Sequence, residues 1–145
     1  MTVKSMIDLD THPLACGAQD LTLKQAIERM VDMHVNALAI LSHDQSLAGI
    51  ITDHDVMRAL YKNSGQLEDS IVGDWMSPHV KTCSVSTKLA EAMKQMGRHK
   101  IRHLVVEEDG KPLAIIGIRA LLAKIHEIDE MEINVLRDIA VARSA

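Results

Sequence analysis

Two stretches of this chain carry the same arrangement of apolar residues, and that repetition limits the folds open to it. When "LTLKQAIERMVDMHVNALAIL" is placed over "STKLAEAMKQMGRHKIRHLVVE", Leu23, Ala26, Ile27 and Met30 fall on Leu89, Ala92, Met93 and Met96. Both quartets have the i, i+3, i+4, i+7 spacing of one apolar helix stripe. A β-branched run follows each, "VNALAIL" and "IRHLVVEE", then a polar turn, "SHDQS" and "EDGKP". A second apolar run, "LAGIIT" and "PLAIIG", leads in both copies into another helix-like segment, "DHDVMRALYK" and "RALLAKIHEI". Each copy therefore reads strand–helix–strand–strand–helix. A period of this kind marks a repeat architecture.

A unit of about 50 residues is marginal as a separate folded body, whereas two copies packed sheet against sheet share enough core. The expected organisation is repeat one over 1–68 and repeat two over 69–145, the second with a helical extension. The segment "SGQLEDSIVGDWMSPHV" reads as the linker, on its Gly, Ser and Pro.

Composition narrows the function. Hydrophobic residues make up 47% and charged residues 25%, as in a globular chain, and the net charge of −4 argues against a nucleic-acid phosphate track. One Trp, one Tyr and no Phe leave no base-stacking platform. Cys16 and Cys83 form neither a disulfide framework nor a CxxC metal motif. The opening "MTVKSMIDLD" lacks a signal-peptide pattern, and no run approaches the roughly 20 apolar residues of a membrane span. A reducing cytoplasm is the expected setting, without membrane or nucleic acid as partner.

The stretch "GIITDHDVMRAL" puts a polar cluster where a strand hands over to a helix. Thr52 with Asp55 three residues later is a capping box. The same hydroxyl, carboxylate and free helix N–H groups also suit a sugar phosphate. The second copy has "AIIGIRA" at this joint, with Ala114, Gly117 and Ala120 in place of Gly49, Thr52 and Asp55. The joint thus forms without the polar set, which gives its presence in the first copy some meaning beyond capping. Both readings stay open for Thr52 and Asp55.

The linker "VGDWMSPHVKTCSV", the strand "KIRHLVV" and the joints "AGIITDHDVMRAL" and "GKPLAIIGIRALL" together resemble a tandem pair of cystathionine-β-synthase (CBS) domains, a Bateman module. Ala39 and Val105 stand where the family often has Pro. The resemblance implies an α/β fold of two β-α-β-β-α repeats, packed through their sheets with pseudo-two-fold symmetry and followed by a C-terminal helix. It also implies an adenosyl ligand between the repeats: AMP, ADP or ATP, with NAD or S-adenosylmethionine less favoured and no metal required. Asp55 is the expected ribose acceptor, and Thr52 and His54 line the same turn. Arg102, His103 and Arg119 are the expected phosphate contacts, on the planar donor fork of Arg. Val80, Lys81 and Thr82 are expected to line the base slot, with Val105 opposite. Against this, Arg102, His103 and Arg119 also read as a solvated strand edge and helix start, and Val80 and Val105 as plain core. Asn36 replaces Arg102 in repeat one, so the second site, on Gly117 and Ala120, is expected to bind weakly or not at all.

No nucleophile–base–orienter set is visible, so a regulatory role is expected rather than an enzyme. His99 and His103, four apart, straddle a helix end, and "DHD" alone makes a thin metal site. The Met-rich helices read as adaptable core. In the tail, Leu121, Ile125, Ile128, Val135 and Ile139 share one side of a helix too long for one small module. That helix packs on a second copy, as in a CBS homodimer, or folds back on its own core. The expected role is a nucleotide sensor acting on a separate effector protein. The alternative is a dimeric interaction scaffold that binds no ligand.

Overall fold

The computed structural model describes residues 1–7 and 13–144. Repeat one contains β1 (Cys16–Ala18), α1 (Leu23–Met33), β2 (Ala37–Leu41), β3 (Leu47–Thr52) and α2 (Asp53–Lys62). After a short helix α3 (Val72–Trp75), repeat two contains β4 (Thr82–Cys83), α4 (Leu89–His99), β5 (His103–Glu108), β6 (Lys111–Gly117) and α5 (Ile118–Ser144). Each repeat builds a three-stranded sheet, β1-β2-β3 or β4-β5-β6, with the first pair parallel and the second antiparallel. The fold is the expected α/β pair of β-α-β-β-α units with a C-terminal helix.

The apolar stripes become the two cores. Leu23, Ala26 and Met30 of α1 are buried with Leu38, Ile40 and Ile51; Leu89, Ala92 and Met96 of α4 are buried with Leu104, Val106 and Ile116. Strand alternation divides the sheet residues between two faces. Leu38 and Ile40, like Leu104 and Val106, face their own helices, whereas Ala37, Ala39 and Val105 are buried but belong to neither core. These small side chains let the sheets meet, with β2 against β6.

Start and stop signals follow the same symmetry. Thr22 caps α1 in a box with Gln25. The two equivalent helices end alike, on His34 (φ 55°) and Lys100 (φ 53°), both left-handed and neither a glycine. The following Val35 and Ile101 donate back to the carbonyls of Met30 and Met96, at 3.0 Å each. That is the closing bond of a Schellman turn.

The expected linker does more than connect. Val72 of α3 is fully buried in the core of repeat one, and Trp75 and Met76 pack against it. Reciprocally Val3, in the 3-10 turn Val3–Met6, is fully buried in the core of repeat two, with Met6 and Ile7 alongside. The hydrogen bonds match: Val72 N donates to the Leu21 carbonyl and Val3 N to the Thr87 carbonyl, both at 2.8 Å. Each core is thus closed by the segment preceding the other repeat, across the 68/69 boundary expected from sequence.

Lys100 offers a test of the helix ends. A side chain in the left-handed region costs about 1–2 kcal/mol, partly offset by the chain entropy that glycine loses on folding. Lys100→Gly is therefore expected to stabilise the protein by about 0.5–1 kcal/mol, measured as a raised urea midpoint at unchanged m-value.

Candidate functional site

Asp55 is the only buried polar or charged residue among the described residues, at 6% exposure. A carboxylate taken out of water needs partners, and α2 supplies them locally. Its Oδ2 accepts from the Thr52 backbone N–H at 2.9 Å and from the Thr52 hydroxyl at 3.1 Å. The same hydroxyl accepts from the Asp55 N–H at 3.4 Å, which completes the capping box. Oδ1 accepts from Arg58 Nη2 at 3.0 Å, an ion pair one helical turn away. Arg58 is itself held by the Trp75 carbonyl at 3.4 Å, with its guanidinium 6.0 Å from the Trp75 ring centre. A carboxylate offers about four acceptor positions. Three donors already occupy it, so a ribose diol binding through both hydroxyls has to displace one of them, and Arg58, half exposed and outside the capping box, is the most easily displaced.

Arg58 was not among the residues singled out from the sequence. The signal was present, as a basic residue three positions after Asp55 on the same helix face. Gly49 gains a packing explanation: a Cβ there would lie 2.9 Å from the Ser77 carbonyl oxygen, where Ser77 pairs with Ile50 beside β3. Ala114, its counterpart, has no such neighbour segment among the described residues.

Arg102, His103 and Arg119 come together in a cleft of about 880 Å³ between the repeats, within the range of small-molecule sites. Asn36 and Asp53 line it from repeat one, and Gly117 and Ala120 from repeat two, over an apolar floor that includes Ala15, Ala37 and Ile116. The joints that frame it are pinned in the same way. Asp53 N donates to the Asn36 carbonyl at 3.0 Å, and Ile118 N donates to the Arg102 carbonyl at 2.9 Å. The N-terminus of α2 carries Asp53 and Asp55, whereas α5 starts with no acidic residue in its first turn. The first turn of α5, with Arg119, and the residue Arg102 therefore line the cleft, and Asp53 is the acidic residue that lines it among the described residues.

His103 ties the repeats together, its Nε2 lying 3.0 Å from Asn36 Oδ1. Burial pushes its pKa below the ordinary 6.5, the Asp53 carboxylate pulls it up, and the Arg102 guanidinium pushes it down, with the net direction downward. The ring is thus neutral at pH 7, and Nε2–H donates to the amide oxygen.

The remaining expected residues lie elsewhere. Thr52 and Asp55 are not part of the cleft lining, although Asp53, two residues before Asp55, is. His54 is exposed in the first turn of α2. Val80 and Lys81 precede β4, and Thr82 pairs directly with Val105, which is fully buried. The expected site residues therefore fall into three groups: the Thr52–Asp55 turn, the Val80–Thr82 segment with Val105, and the cationic cleft. The cleft lies on the side of the second joint, where the weaker site was expected.

The family model described as CBS domain matches residues 6–62 and again residues 72–127. Among curated relatives, the mitochondrial CBS domain-containing protein CBSX3 of Arabidopsis thaliana is 32% identical over 119 residues, 79% of this chain and 57% of that one. Against the first relatives found, the chain spans between 19% and 57% of their length. Solved structures share the fold. The CBS domain pair of protein MJ0100, in complex with 5′-methylthioadenosine and S-adenosyl-L-methionine, superposes with a TM-score of 0.78 at 19% identity, covering 88% of this chain and 97% of that one. The CBS domain protein PAE2072 from Pyrobaculum aerophilum, complexed with AMP, has a TM-score of 0.74 at 18% identity, covering 83% and 89%.

The state of His103 sets a pH dependence. A histidine whose folded pKa lies below its unfolded value binds fewer protons folded than unfolded as pH falls through 6.5, so stability drops there and levels off below the folded pKa. His103→Gln keeps a donor toward Asn36 and removes the titration. Urea unfolding at pH 8, 6.5 and 5 is expected to show a steeper loss in the wild type than in the variant.

Proposed function

Because this chain belongs to the CBS-domain family, we propose that it is a regulatory module that binds an adenosine nucleotide of the AMP, ADP or ATP type. It acts on a separate partner protein, as a homodimer and in the reducing cytoplasm. The observation that carries this reading is the convergence of Arg102, His103 and Arg119 in a cleft between the repeats. Two guanidinium groups and a helix N-terminus are a natural seat for a phosphate. The related domain pairs solved with AMP and with S-adenosyl-L-methionine support the adenosyl class.

In this reading the phosphate end occupies the cleft and the sugar reaches the turn that bears Thr52, His54 and Asp55. The base lies along Val80, Lys81 and Thr82, with Val105 behind them. Ligand contact with both repeats is what makes a switch: binding shifts the arrangement only so far as affinity differs between the two states. A scaffold that binds no ligand is the second reading. It is favoured by the closure of Asp55 on Thr52 and Arg58, and by the lack of any side-chain oxygen at Gly117 and Ala120.

Calorimetric titration with AMP, ADP, ATP, NAD and S-adenosylmethionine separates the two readings. The sensor reading expects saturable binding, weakened about tenfold or more by Arg102→Ala or Arg119→Ala, the scale of one charged hydrogen bond. Silence with all five ligands favours the scaffold. A second measurement locates the sugar. If it sits on Asp55, Asp55→Ala removes binding and Arg58→Ala tightens it, since the competing guanidinium is gone. Unchanged affinity in both variants means that the sugar does not sit on the Thr52–Asp55 turn.

A further inference from the structure

The second half of α5 leaves the core with its apolar stripe uncovered. Leu121 is buried, and Ile125 and Ile128 pack against the core of repeat two. Beyond them the same face continues through Glu132, Val135, Ile139 and Arg143, spaced so that at about 100° per residue they lie on one line. Val135 is 56% and Ile139 45% exposed, and Leu136 beside them is 65% exposed. The two charges on this line are also without partners: among the described residues neither Glu132 nor Arg143 takes part in an ion pair. An apolar strip with an anion at one end and a cation at the other is complementary to itself, but only when turned end for end.

We propose that this half of α5 pairs antiparallel with the same half of a second copy. This deepens the homodimer reading above and rests on it. In the symmetric register the two-fold axis passes between residues 137 and 138. Leu136 then lies opposite the partner's Ile139, and Glu132 opposite the partner's Arg143, at both ends of the contact. The interface is isologous, as a two-fold dimer requires. A parallel pair would set Glu132 against Glu132 and Arg143 against Arg143, so like charges select against it. From Glu132 to Arg143 the helix rises only about 16 Å at about 1.5 Å per residue. The contact is therefore small for a stable interface, and the dimer dissociates on dilution.

Sedimentation velocity over a concentration series, at low and high salt, tests the pairing with four proteins: wild type, Glu132→Arg, Arg143→Glu and the double swap. All substituted positions are exposed, and far-UV circular dichroism checks that the fold is kept. Each single swap sets like charges against each other at both ends of the symmetric contact. The expected result is a dissociation constant raised about tenfold or more by each, and restored to within about threefold of wild type by the double swap. Added salt is expected to weaken the wild-type dimer. A wild type that stays monomeric at every concentration overturns the homodimer reading and the seam together. A wild-type dimer indifferent to both single swaps overturns the seam alone, as does a double swap that fails to restore association.

Discussion

The burial of Val3 in one core and Val72 in the other is the constraint on which the rest of the structure depends. Each valine comes from the segment that precedes the opposite repeat, and each is fully enclosed. Withdrawing either segment uncovers a buried valine and leaves a gap in a core that has few large side chains to fill it, with no Phe in the chain. The exchange therefore couples the two units more tightly than the contact between their sheets could. That contact relies on Ala37, Ala39 and Val105, whose side chains remove little apolar surface from water. It does so without large residues between the sheets, which is why β2 and β6 approach closely and the two joints open onto one cleft.

Much of the architecture was legible because it rests on periodicity. The stripes Leu23–Met30 and Leu89–Met96 repeat at helical spacing, and the alternation in "ALAIL" and "HLVV" gives each strand two faces. The segments around Val3 and Val72 were not legible. A four-residue turn has no period to detect, and "SIVGDW" carries the Gly and Ser of an ordinary linker. The family pattern marks Arg102, His103 and Arg119 as candidate phosphate contacts, with Arg102 and His103 set opposite Asp55. That they line a cleft with Gly117 and Ala120 instead could not be read from the sequence, because this depends on how the repeats dock rather than on either repeat alone. The competition of Arg58 for Asp55 was hidden for another reason. An Asp–Arg pair three apart is common on solvated helix surfaces, and only the burial of Asp55 makes it consequential.

The two joints handle the same geometric problem in opposite ways. Both helices begin beside the start of the middle strand of their own repeat, and both place their first N–H on a carbonyl there, Asn36 for α2 and Arg102 for α5. With that bond in common, the capping box at Thr52 and Asp55 is additional to what the fold requires. Its polar groups satisfy one another, which suits a buried carboxylate but also closes it to newcomers. At the second joint the 27-residue helix has no acid in its first turn, and Asp53 is the acidic residue that lines the cleft among the described residues. This contrast is why the proposed phosphate seat lies at the joint that lacks the motif rather than at the joint that has it.

The bond between His103 and Asn36 connects this electrostatic asymmetry to the relation of the repeats. It joins residues 67 apart in sequence, from opposite units, at the rim of the cleft. In the proposed function, a phosphate held by Arg102 and Arg119 would compete for the same Nε2–H, and its charge would favour a second proton on the ring. The repeats would then lose a direct contact and gain a shared ligand, so the free energy that holds them in register would move from the protein to the bound anion. A typical hydrogen bond is worth about 1 kcal/mol net, and one to a charged group up to about 3 kcal/mol. Replacing one with the other is enough to change the balance between two arrangements severalfold, provided that one arrangement keeps Asn36 within reach of His103 and the other does not.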